Sequence, residues 1–255
     1  MCIRDRDRIF IFDVDGTLTP SRLRMTEEFA KFFDKWSNEN KYYLVTGSDL
    51  PKMEEQVPLA YLERAEGLFT CCGNQFWREG NTKQWKTDWK LIYNNKFNPP
   101  KDLIKYLKRK VLKSEYPNRC GNHIEDRGSM VNFSIVGRDC TQEQREDYFE
   151  WDKAMGERNI MCMEIKGTYP GVDAVVGGQI SIDIYPKGND KSQVLNVIEQ
   201  ERLIPPSEYI FIGDGIENGG NDYPLAELMD NIEICDWYHT KGWEHTKEIL
   251  ESLND

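Results

Sequence analysis

The sequence predicts an α/β protein in which an inserted α+β cap domain interrupts a Rossmann-like parallel-sheet core. Strand and helix patterns alternate as β-α-β-α-β through about residue 85, and the alternation resumes after residue 186. Between these segments, strands and charged helices follow a pattern typical of an antiparallel α+β unit. We therefore predict core segments at residues 1–85 and 187–255 and a cap domain at residues 86–186 of the 255-residue chain.

The first core segment begins with a leader at residues 1–6 that alternates charges and is expected to be non-native sequence outside the fold. Thr26 is a predicted helix N-cap, because Glu27 and Glu28 follow it and apolar residues then recur at helical spacing. The predicted elements are a buried strand at 9–12, this helix, a strand at 41–45, a helix at 50–57, a strand at 67–71 and a hairpin at 74–85 that turns at Gly80-Asn81.

The cap pattern begins at Pro99-Pro100, which opens a lysine-rich helix. The predicted cap elements are this helix through about residue 113, strands at 123–126 and 130–136, a helix at 141–155, and strands at 161–166 and 179–185. The predicted elements of the second core segment are a helix capped by Asp190, a strand at 209–212, a helix from about 222, a strand at 232–235 and a helix at 243–253. Hinges are expected near residues 84–88 and 185–188.

Composition narrows the range of partners. Acidic residues outnumber basic residues by 44 to 33, which gives a formal net charge of -11. This balance argues against nucleic-acid and anionic-membrane partners, whose binding proteins carry basic surfaces. The seven cysteines are scattered, and the adjacent Cys71 and Cys72 have poor geometry for a bridge. We predict reduced thiols and a cytoplasmic location, and no apolar run approaches the length of a membrane span.

Two carboxylates directly follow the first buried strand. Asp13 and Asp15 come after Ile9–Phe12, and Gly16 then lets the chain turn. In open α/β sheets the site lies beyond the carboxyl ends of the strands. There such a pair can share Mg²⁺, and one carboxylate can attack phosphorus. A calcium-binding EF-hand is excluded because it needs glycine at its sixth position and flanking helices, whereas an ordinary turn is the alternative for this motif alone.

Other element ends carry complementary polar groups. Thr46 and Ser48 follow the second strand, where hydroxyl and backbone N–H groups can hold phosphate oxygens. Lys191 is expected in the first turn of a helix. Asp214 comes shortly after the strand at residues 209–212. Taken singly, Lys191 could be a solvated helix residue and Asp214 a turn former. Taken together, these groups are the set that phosphoryl transfer through an aspartyl-phosphate requires.

The motifs resemble the haloacid dehalogenase superfamily of phosphotransferases, and the chain from Ile9 to its last helix resembles the eukaryotic-type phosphomannomutase family with its α+β cap. Two departures are Thr46, where glycine is expected and where many phosphatases of the superfamily carry threonine, and Asn189, where tryptophan is expected. The matching stretches are Asp13–Thr19 with Arg22 downstream, Gly47–Asp49, Ile124–Arg127, Asn132–Arg138, Gly177–Asp183, Gly188–Lys191, Gly213-Asp214 and Gly219–Asp222.

The resemblance implies a phosphate shift that runs through a hexose 1,6-bisphosphate. Asp13 would be the nucleophile and Asp15 the general acid/base, and a homodimer through the cap is expected. The implied Mg²⁺ ligands are Asp13, Asp15 through its backbone carbonyl, Asp214, Asn221 and Asp222. The residues implied to hold the transferring phosphoryl group are Thr46, Ser48 and Lys191.

A mutase must also hold a second phosphate while the sugar turns over between its two ends. Guanidinium groups suit this task because they bind phosphate in a bidentate manner. The candidate phosphate ligands are Arg22, Arg127, Arg138 and Arg145. The alternative for each is a surface arginine, most of all for Arg145, which belongs to a highly charged helix. The candidate sugar ligands are Gly178, Ser181 and Asp183, with ordinary strand polarity as the alternative for the last two, which share a strand face.

Two functions stay open at this point. One is a phosphomannomutase that interconverts mannose 6-phosphate and mannose 1-phosphate, and the other is a sugar-phosphate phosphatase of the same superfamily, in which water takes the phosphoryl group. The arginines of the cap favour the mutase, since a simple phosphatase has less need of them. A non-catalytic sugar-phosphate binder is disfavoured because Asp13, Asp15, Lys191 and Asp214 are all present.

Overall fold

The structure is a computed structural model that describes residues 7–80, 88–202 and 206–254. The predicted leader and the predicted turn residue Asn81 lie outside these ranges. The strands are β1 (Arg8–Asp13), β2 (Lys41–Val45), β3 (Gly67–Thr70), β4 (Gln75–Glu79), β5 (Trp89–Asn94), β6 (Ile124–Asp126), β7 (Val131–Phe133), β8 (Val172–Gly177), β9 (Ser181–Pro186), β10 (Glu208–Gly213) and β11 (Cys235–His239). The helices are α1 (Glu27–Glu39), α2 (Leu50–Gln56), α3 (Leu59–Arg64), α4 (Lys101–Lys113), α5 (Gln142–Met155), α6 (Glu157–Thr168), α7 (Gln193–Glu201), α8 (Tyr223–Met229) and α9 (Trp243–Asn254).

The core sheet has the strand order β11-β10-β1-β2-β3-β4-β5 within the described residues. β1 pairs in parallel with both β2 and β10, so Phe12 lies between Leu44 and Ile212. Apolar clusters cover both faces of the sheet, which explains why Ile9–Phe12 is an uninterrupted apolar run. Helix α1 covers one face and begins at the predicted cap Thr26, whose side chain accepts a bond from the Phe29 N–H. The predicted α/β fold class is confirmed.

The cap has a separate antiparallel sheet in the order β6-β7-β9-β8. Helices α4, α5 and α6 pack apolar side chains against this sheet and give the cap a core of its own. Helix α5 begins with a capping box formed by Thr141 and Gln144 and ends at Gly156, whose φ of 66° suits glycine.

Several predicted elements were wrong. The predicted strand at 161–166 is part of helix α6, in which Met161, Cys162 and Ile165 share the buried face and Met163 is exposed. The prediction was wrong because the apolar residues of this segment repeat at helical spacing over too few positions to distinguish a helix from a strand. Strand β8 was missed, as was helix α3. Strand β11 begins at Cys235 rather than Ile232, because it is an edge strand with mixed polarity.

The crossings between core and cap differ from the predicted boundaries. β5 pairs with β4 in the core sheet, so we propose that the cap begins after Asn94 rather than at residue 86. Asn74 contacts both crossings: its carbonyl oxygen accepts from the Asn95 N–H at 2.8 Å, and its side-chain amide donates to the Asn189 carbonyl at 2.8 Å. Residues 84–87 of the predicted first hinge lie outside the described residues.

In the part of the chain that is described, no helix is both long and apolar enough to cross a membrane.

Candidate active site

The carboxyl ends of three neighbouring parallel strands bring the predicted acidic and hydroxyl groups together. Asp13 ends β1, Thr46 follows β2, and Asp214 follows β10. Asp13, Thr46 and Ser48 are buried, whereas Asp15 is half-buried and Asp214 keeps an exposed side toward the cleft. Asp13, Asp15, Thr46, Ser48 and Asp214 all line one cavity between core and cap. The strand-end prediction therefore located one shared site.

Lys191 lies at the centre of this group of acids. Its Nζ donates to Asp13 Oδ1 at 2.6 Å and to Asp222 Oδ1 at 2.5 Å, and its side chain is completely buried. Lys191 precedes α7 by two residues, so the prediction that it lies in a first helical turn was wrong, as was the alternative of a solvated lysine. Burial disfavours the ammonium, yet the charges of Asp13 and Asp222 raise the pKa of Lys191. It therefore stays protonated.

The acids repel one another despite this lysine. Desolvation raises the pKa of Asp13 to about 7, an effect that Lys191 opposes and that the charge of Asp222 reinforces. Desolvation by the surrounding protein, together with the charges of Asp13 and Asp222, also raises the pKa of Asp214 well above its ordinary value. The Asp214 side chain nevertheless keeps contact with solvent. An oxygen from each of Asp13, Asp214 and Asp222 lies within 4.8 Å of the others. This excess of negative charge fits a hard divalent cation.

Glycines make this approach of acids possible. A Cβ atom on Gly16, whose φ is +90°, would lie 2.2 Å from Asp214 Oδ2. A Cβ atom on Gly213 would lie 2.6 Å from Asp222 Oδ2. Asp222 is held by a further bond, since its Oδ2 accepts from the Gly215 N–H at 2.9 Å. The Asp-x-Asp-Gly and Gly-Asp-Gly stretches thus need glycine because carboxylates occupy the space of a side chain.

A turn that contains two adjacent cysteines holds the loop after β2 in place through backbone hydrogen bonds. The Cys71 N–H donates to the Ser48 carbonyl at 2.8 Å, and the Cys72 N–H donates to the Thr46 carbonyl at 2.9 Å. Both cysteines have positive φ angles, 54° and 58°. All six cysteines in the described ranges are free thiols. Because Thr46 Oγ1 accepts from the Ser48 N–H at 3.1 Å, the loop presents hydroxyl groups to the cavity in a defined arrangement.

Four arginines lie at this cavity or directly behind its wall. Arg22, Arg127 and Arg145 line it, and Arg138 donates to Ser181 Oγ at 3.0 Å just behind the lining. Arg145 is only 6% exposed, so the alternative of a solvated surface arginine was wrong for this residue. Its Nε atom and that of Arg127 are buried without a hydrogen-bond partner in the described structure. Such donors fit an anionic ligand.

The electrostatics of this cluster also favour an anion. Desolvation and the positive charge of Arg22 lower the pKa of Arg138 to about 10, with Glu125 opposing the shift. Desolvation and Arg22 also lower the pKa of Arg145. Glu125 accepts from Arg127 at 2.7 Å and lies 3.5 Å from Arg138, so it holds two of the guanidinium groups. The positive charge exceeds what this carboxylate can balance.

The three candidate sugar ligands, Gly178, Ser181 and Asp183, line the same cavity as the acids and the arginines. Asp183 is 2% exposed, and its Oδ1 accepts from Asn132 Nδ2 at 2.7 Å. A Cβ atom on Gly178 would lie 3.9 Å from Asp15 Oδ2, which places the β8–β9 turn beside Asp15. Ser181 and Asp183 line the same cavity, and their assignment as sugar ligands stays a prediction.

Four supporting residues were missed in the sequence: Gln56, Asn132, Asp152 and Arg158. Asn132 belongs to a matched stretch that was not assigned a role. Arg158 and Asp152 form a buried ion pair at 2.6 Å, and Arg158 Nη1 also donates to the Gly178 carbonyl at 2.8 Å. Their signal is absent from local sequence because their contacts join distant segments.

A family model for eukaryotic phosphomannomutase matches residues 29–252. Among curated relatives, the phosphomannomutase of Encephalitozoon cuniculi is 35% identical over 89% of this chain and 87% of its own length. The phosphomannomutase of Saccharomyces cerevisiae is 33% identical over 97% of this chain and 94% of its own. These alignments span both core segments and the cap.

Solved structures show the same fold at low identity. An IMP-bound IMP-nucleotidase mutant from Plasmodium falciparum superposes with a TM-score of 0.63 at 16% identity, over 99% of this chain and 68% of the other. A phosphatase of the haloalkanoate (HAD) enzyme superfamily from Bacteroides thetaiotaomicron gives a TM-score of 0.59 at 14% identity, over 98% and 96%. The chain therefore shares the fold of these two proteins.

Proposed function

Because the chain belongs to the eukaryotic phosphomannomutase family, we propose that it interconverts mannose 6-phosphate and mannose 1-phosphate through an aspartyl-phosphate and a hexose 1,6-bisphosphate. The observation that carries this proposal is one cavity that is lined both by the carboxylates of Asp13, Asp15 and Asp214 and by arginines, with Lys191 bonded to Asp13. A bisphosphate carries two anionic groups, and this site would offer the proposed metal position beside Lys191 to one and the arginines to the other.

The core end supports phosphoryl transfer to Asp13. Its carboxylate lies at the carboxyl end of β1, and Lys191 neutralises charge that would repel an incoming phosphate. Asp15, two residues later, would give its proton to the departing sugar oxygen and later take a proton from the attacking hydroxyl. Thr46 and Ser48 would bind the phosphoryl oxygens through hydroxyl and N–H groups. These roles use residues that line the cavity, together with Lys191, which contacts the lining residue Asp13.

Magnesium is the proposed metal cofactor. The residues that would hold it are Asp13, Asp214 and Asp222, with Asn221 and the Asp15 carbonyl as further oxygen donors. When bound, the ion would supply positive charge near the transferring phosphoryl group. The raised pKa values of Asp13 and Asp214 support this assignment, since a cation would favour the charged carboxylates that desolvation and mutual repulsion disfavour.

The cap end would hold the second phosphate. We propose Arg22, Arg127, Arg138 and Arg145 as its ligands and Gly178, Ser181 and Asp183 as neighbours of the sugar. The cavity is about 40 Å³, whereas pockets for small ligands are typically about 300–1,000 Å³. The cap must therefore move away from the core to admit and reorient a hexose bisphosphate, and its return would exclude water.

The second candidate function is a sugar-phosphate phosphatase, which Thr46 favours. The decisive assay follows mannose 1-phosphate with and without glucose 1,6-bisphosphate and measures mannose 6-phosphate against free phosphate. A mutase forms the isomer, and its rate rises with the bisphosphate. Stoichiometric release of phosphate without isomer formation would reject the mutase.

We further propose a homodimer through the cap and a cytoplasmic location. An apolar groove of about 670 Å³ lies between α4 and β6, and Leu112 in it is 85% exposed. Such a groove suits a second copy of the cap. Sedimentation would test the dimer, and Leu112→Asp is expected to give monomers. The free thiols are consistent with a reducing compartment.

A further inference from the structure

Gln56 is a buried side chain that reaches the proposed general acid/base from a neighbouring helix. It is the last residue of α2 and is 1% exposed. Its Nε2 donates to Asp15 Oδ1 at 3.0 Å, to Thr19 Oγ1 at 3.1 Å and, more weakly, to the Leu23 carbonyl at 3.4 Å. Its backbone carbonyl accepts from the Met25 N–H at 2.8 Å, so the residue is anchored at both ends.

The neighbours of this amide determine its orientation. Thr19 Oγ1 donates its own proton to the Val14 carbonyl at 3.2 Å, so it presents a lone pair to Gln56. Asp15 presents a carboxylate oxygen and Leu23 a carbonyl oxygen. All three groups are acceptors, and a flipped amide would place Gln56 Oε1 against them. The NH₂ group therefore faces Asp15.

The two oxygens of Asp15 consequently have different surroundings. Oδ1 accepts from Gln56 and also from the backbone N–H of Arg22, a residue with a positive φ of 61°. Oδ2 faces the β8–β9 turn, 3.9 Å from the position of a Cβ atom on Gly178. One oxygen is thus fixed by two donors, while the other faces the cleft.

We infer that Gln56 is a positioning residue that fixes the rotamer of Asp15 so that Oδ2 exchanges the proton with the sugar hydroxyl. This inference rests on the proposed function, because it assumes that Asp15 is the general acid/base. In the forward step, the bond from phosphorus to the sugar oxygen breaks and a bond to an Asp13 oxygen forms. The proton of Asp15 Oδ2 moves to the departing sugar oxygen.

The inference makes the contribution of Gln56 dependent on the leaving group. A sugar alkoxide is a poor leaving group and needs that proton. p-Nitrophenolate is stable as an anion and leaves without one. Loss of Gln56 should therefore slow phosphorylation of Asp13 by a sugar phosphate but not by p-nitrophenyl phosphate, whereas general damage to the site would slow both.

The test uses the full chain with Mg²⁺ and measures single-turnover phosphorylation of Asp13 by glucose 1,6-bisphosphate and by p-nitrophenyl phosphate. Gln56→Met keeps the length of the side chain and removes the donor. We expect the rate with the bisphosphate to fall by about 10- to 100-fold. We expect the rate with p-nitrophenyl phosphate to change by less than about threefold. If the methionine variant does not fold, the same two rates are measured for Gln56→Glu. Its carboxylate cannot donate a hydrogen bond to Asp15 Oδ1 and repels the Asp15 carboxylate.

Tyr61→Phe is the matched control. It removes one hydrogen bond, from Tyr61 OH to the Ala30 carbonyl at 2.7 Å, from a residue that is 7% exposed and away from the cleft. It should lower thermal stability and leave both rates unchanged. Equal losses with the two phosphoryl donors in the Gln56 variants, or no loss with the bisphosphate, would overturn the inference.

Asp15→Asn separates this inference from the proposed function. If Asp15→Asn keeps full mutase turnover, the assigned role of Asp15 fails, and the inference fails with it. If Asp15→Asn loses turnover while Gln56→Met keeps its rate with the bisphosphate, only the role of Gln56 is rejected.

Discussion

Lys191 Nζ lies 2.6 Å from Asp13 Oδ1, and the two residues come from chain segments 178 positions apart. The pair joins the first strand of the core to the segment that follows the cap. Each partner is almost completely buried, and Lys191 also pairs with Asp222, so this one lysine balances part of the charge of two carboxylates.

Asp13→Asn should reduce mutase turnover by about three orders of magnitude or more, because it removes the proposed nucleophile. Thermal stability should be retained or increased, since the substitution relieves repulsion with Asp214 and Asp222. Activity measurements and thermal unfolding would check both parts. Near-full activity in this variant would show that Asp13 does not carry the phosphoryl group.

Lys191→Met should destabilise the fold by about 3–5 kcal/mol, because it leaves buried carboxylates without their counterion. Added Mg²⁺ should raise the melting temperature of this variant more than that of the unmodified protein. Thermal unfolding with Mg²⁺ and with a chelator measures this difference. Equal Mg²⁺ effects on both proteins would show that the ion does not bind among these acids.

Arg138→Ala should weaken binding of glucose 1,6-bisphosphate by about 1.5–3 kcal/mol, the usual range for hydrogen bonds to charged groups. The dissociation constant can be measured by calorimetry. Arg109→Ala is the control, since Arg109 is an exposed arginine of the same cap. Unchanged affinity in the Arg138 variant would place the second phosphate elsewhere.

Arg158→Met should lower the free energy of unfolding by about 3–5 kcal/mol, because it leaves Asp152 as an unpaired buried charge. It should also lower turnover, since Arg158 supports the Gly178 carbonyl beside Asp15. A double variant with Asp152→Leu should recover much of the stability and little of the turnover. Recovery of both would mean that the pair acts on stability alone.

Glu125 should contribute a pH-dependent part of stability. Burial opposes its ionisation, but Arg127 and Arg138 outweigh burial and lower its pKa below the ordinary 4.5. A lowered folded-state pKa gives stability that is present above the unfolded-state value and is lost as pH falls through the folded-state value. The melting temperature of Glu125→Gln should therefore be lower than that of the unmodified protein at neutral pH. The difference between the two melting temperatures should disappear below about pH 4.5. A gap that widens on acidification would contradict this assignment.

The sequence predicted the features that depend on local signals. Strand β1 and the acids after it were identified from an apolar run and its terminus, and parallel-sheet geometry then brought Thr46 and Asp214 to the same edge. Burial of Lys191 and Arg145 was not predicted, because it depends on segments far along the chain. Gln56 gave no signal, since its partner Asp15 lies 41 residues earlier and helix packing alone brings them together.

Strand β1 lies between β2 and β10, although β10 is made about two hundred residues after it. A nascent chain on the ribosome can therefore pair β1 on one side only until β10 has been made. For most of that interval the first acids lack Lys191, and throughout it they lack Asp214. An incomplete polypeptide cannot carry out the reaction, and its unpaired strand edge is a surface that chaperones would need to shield.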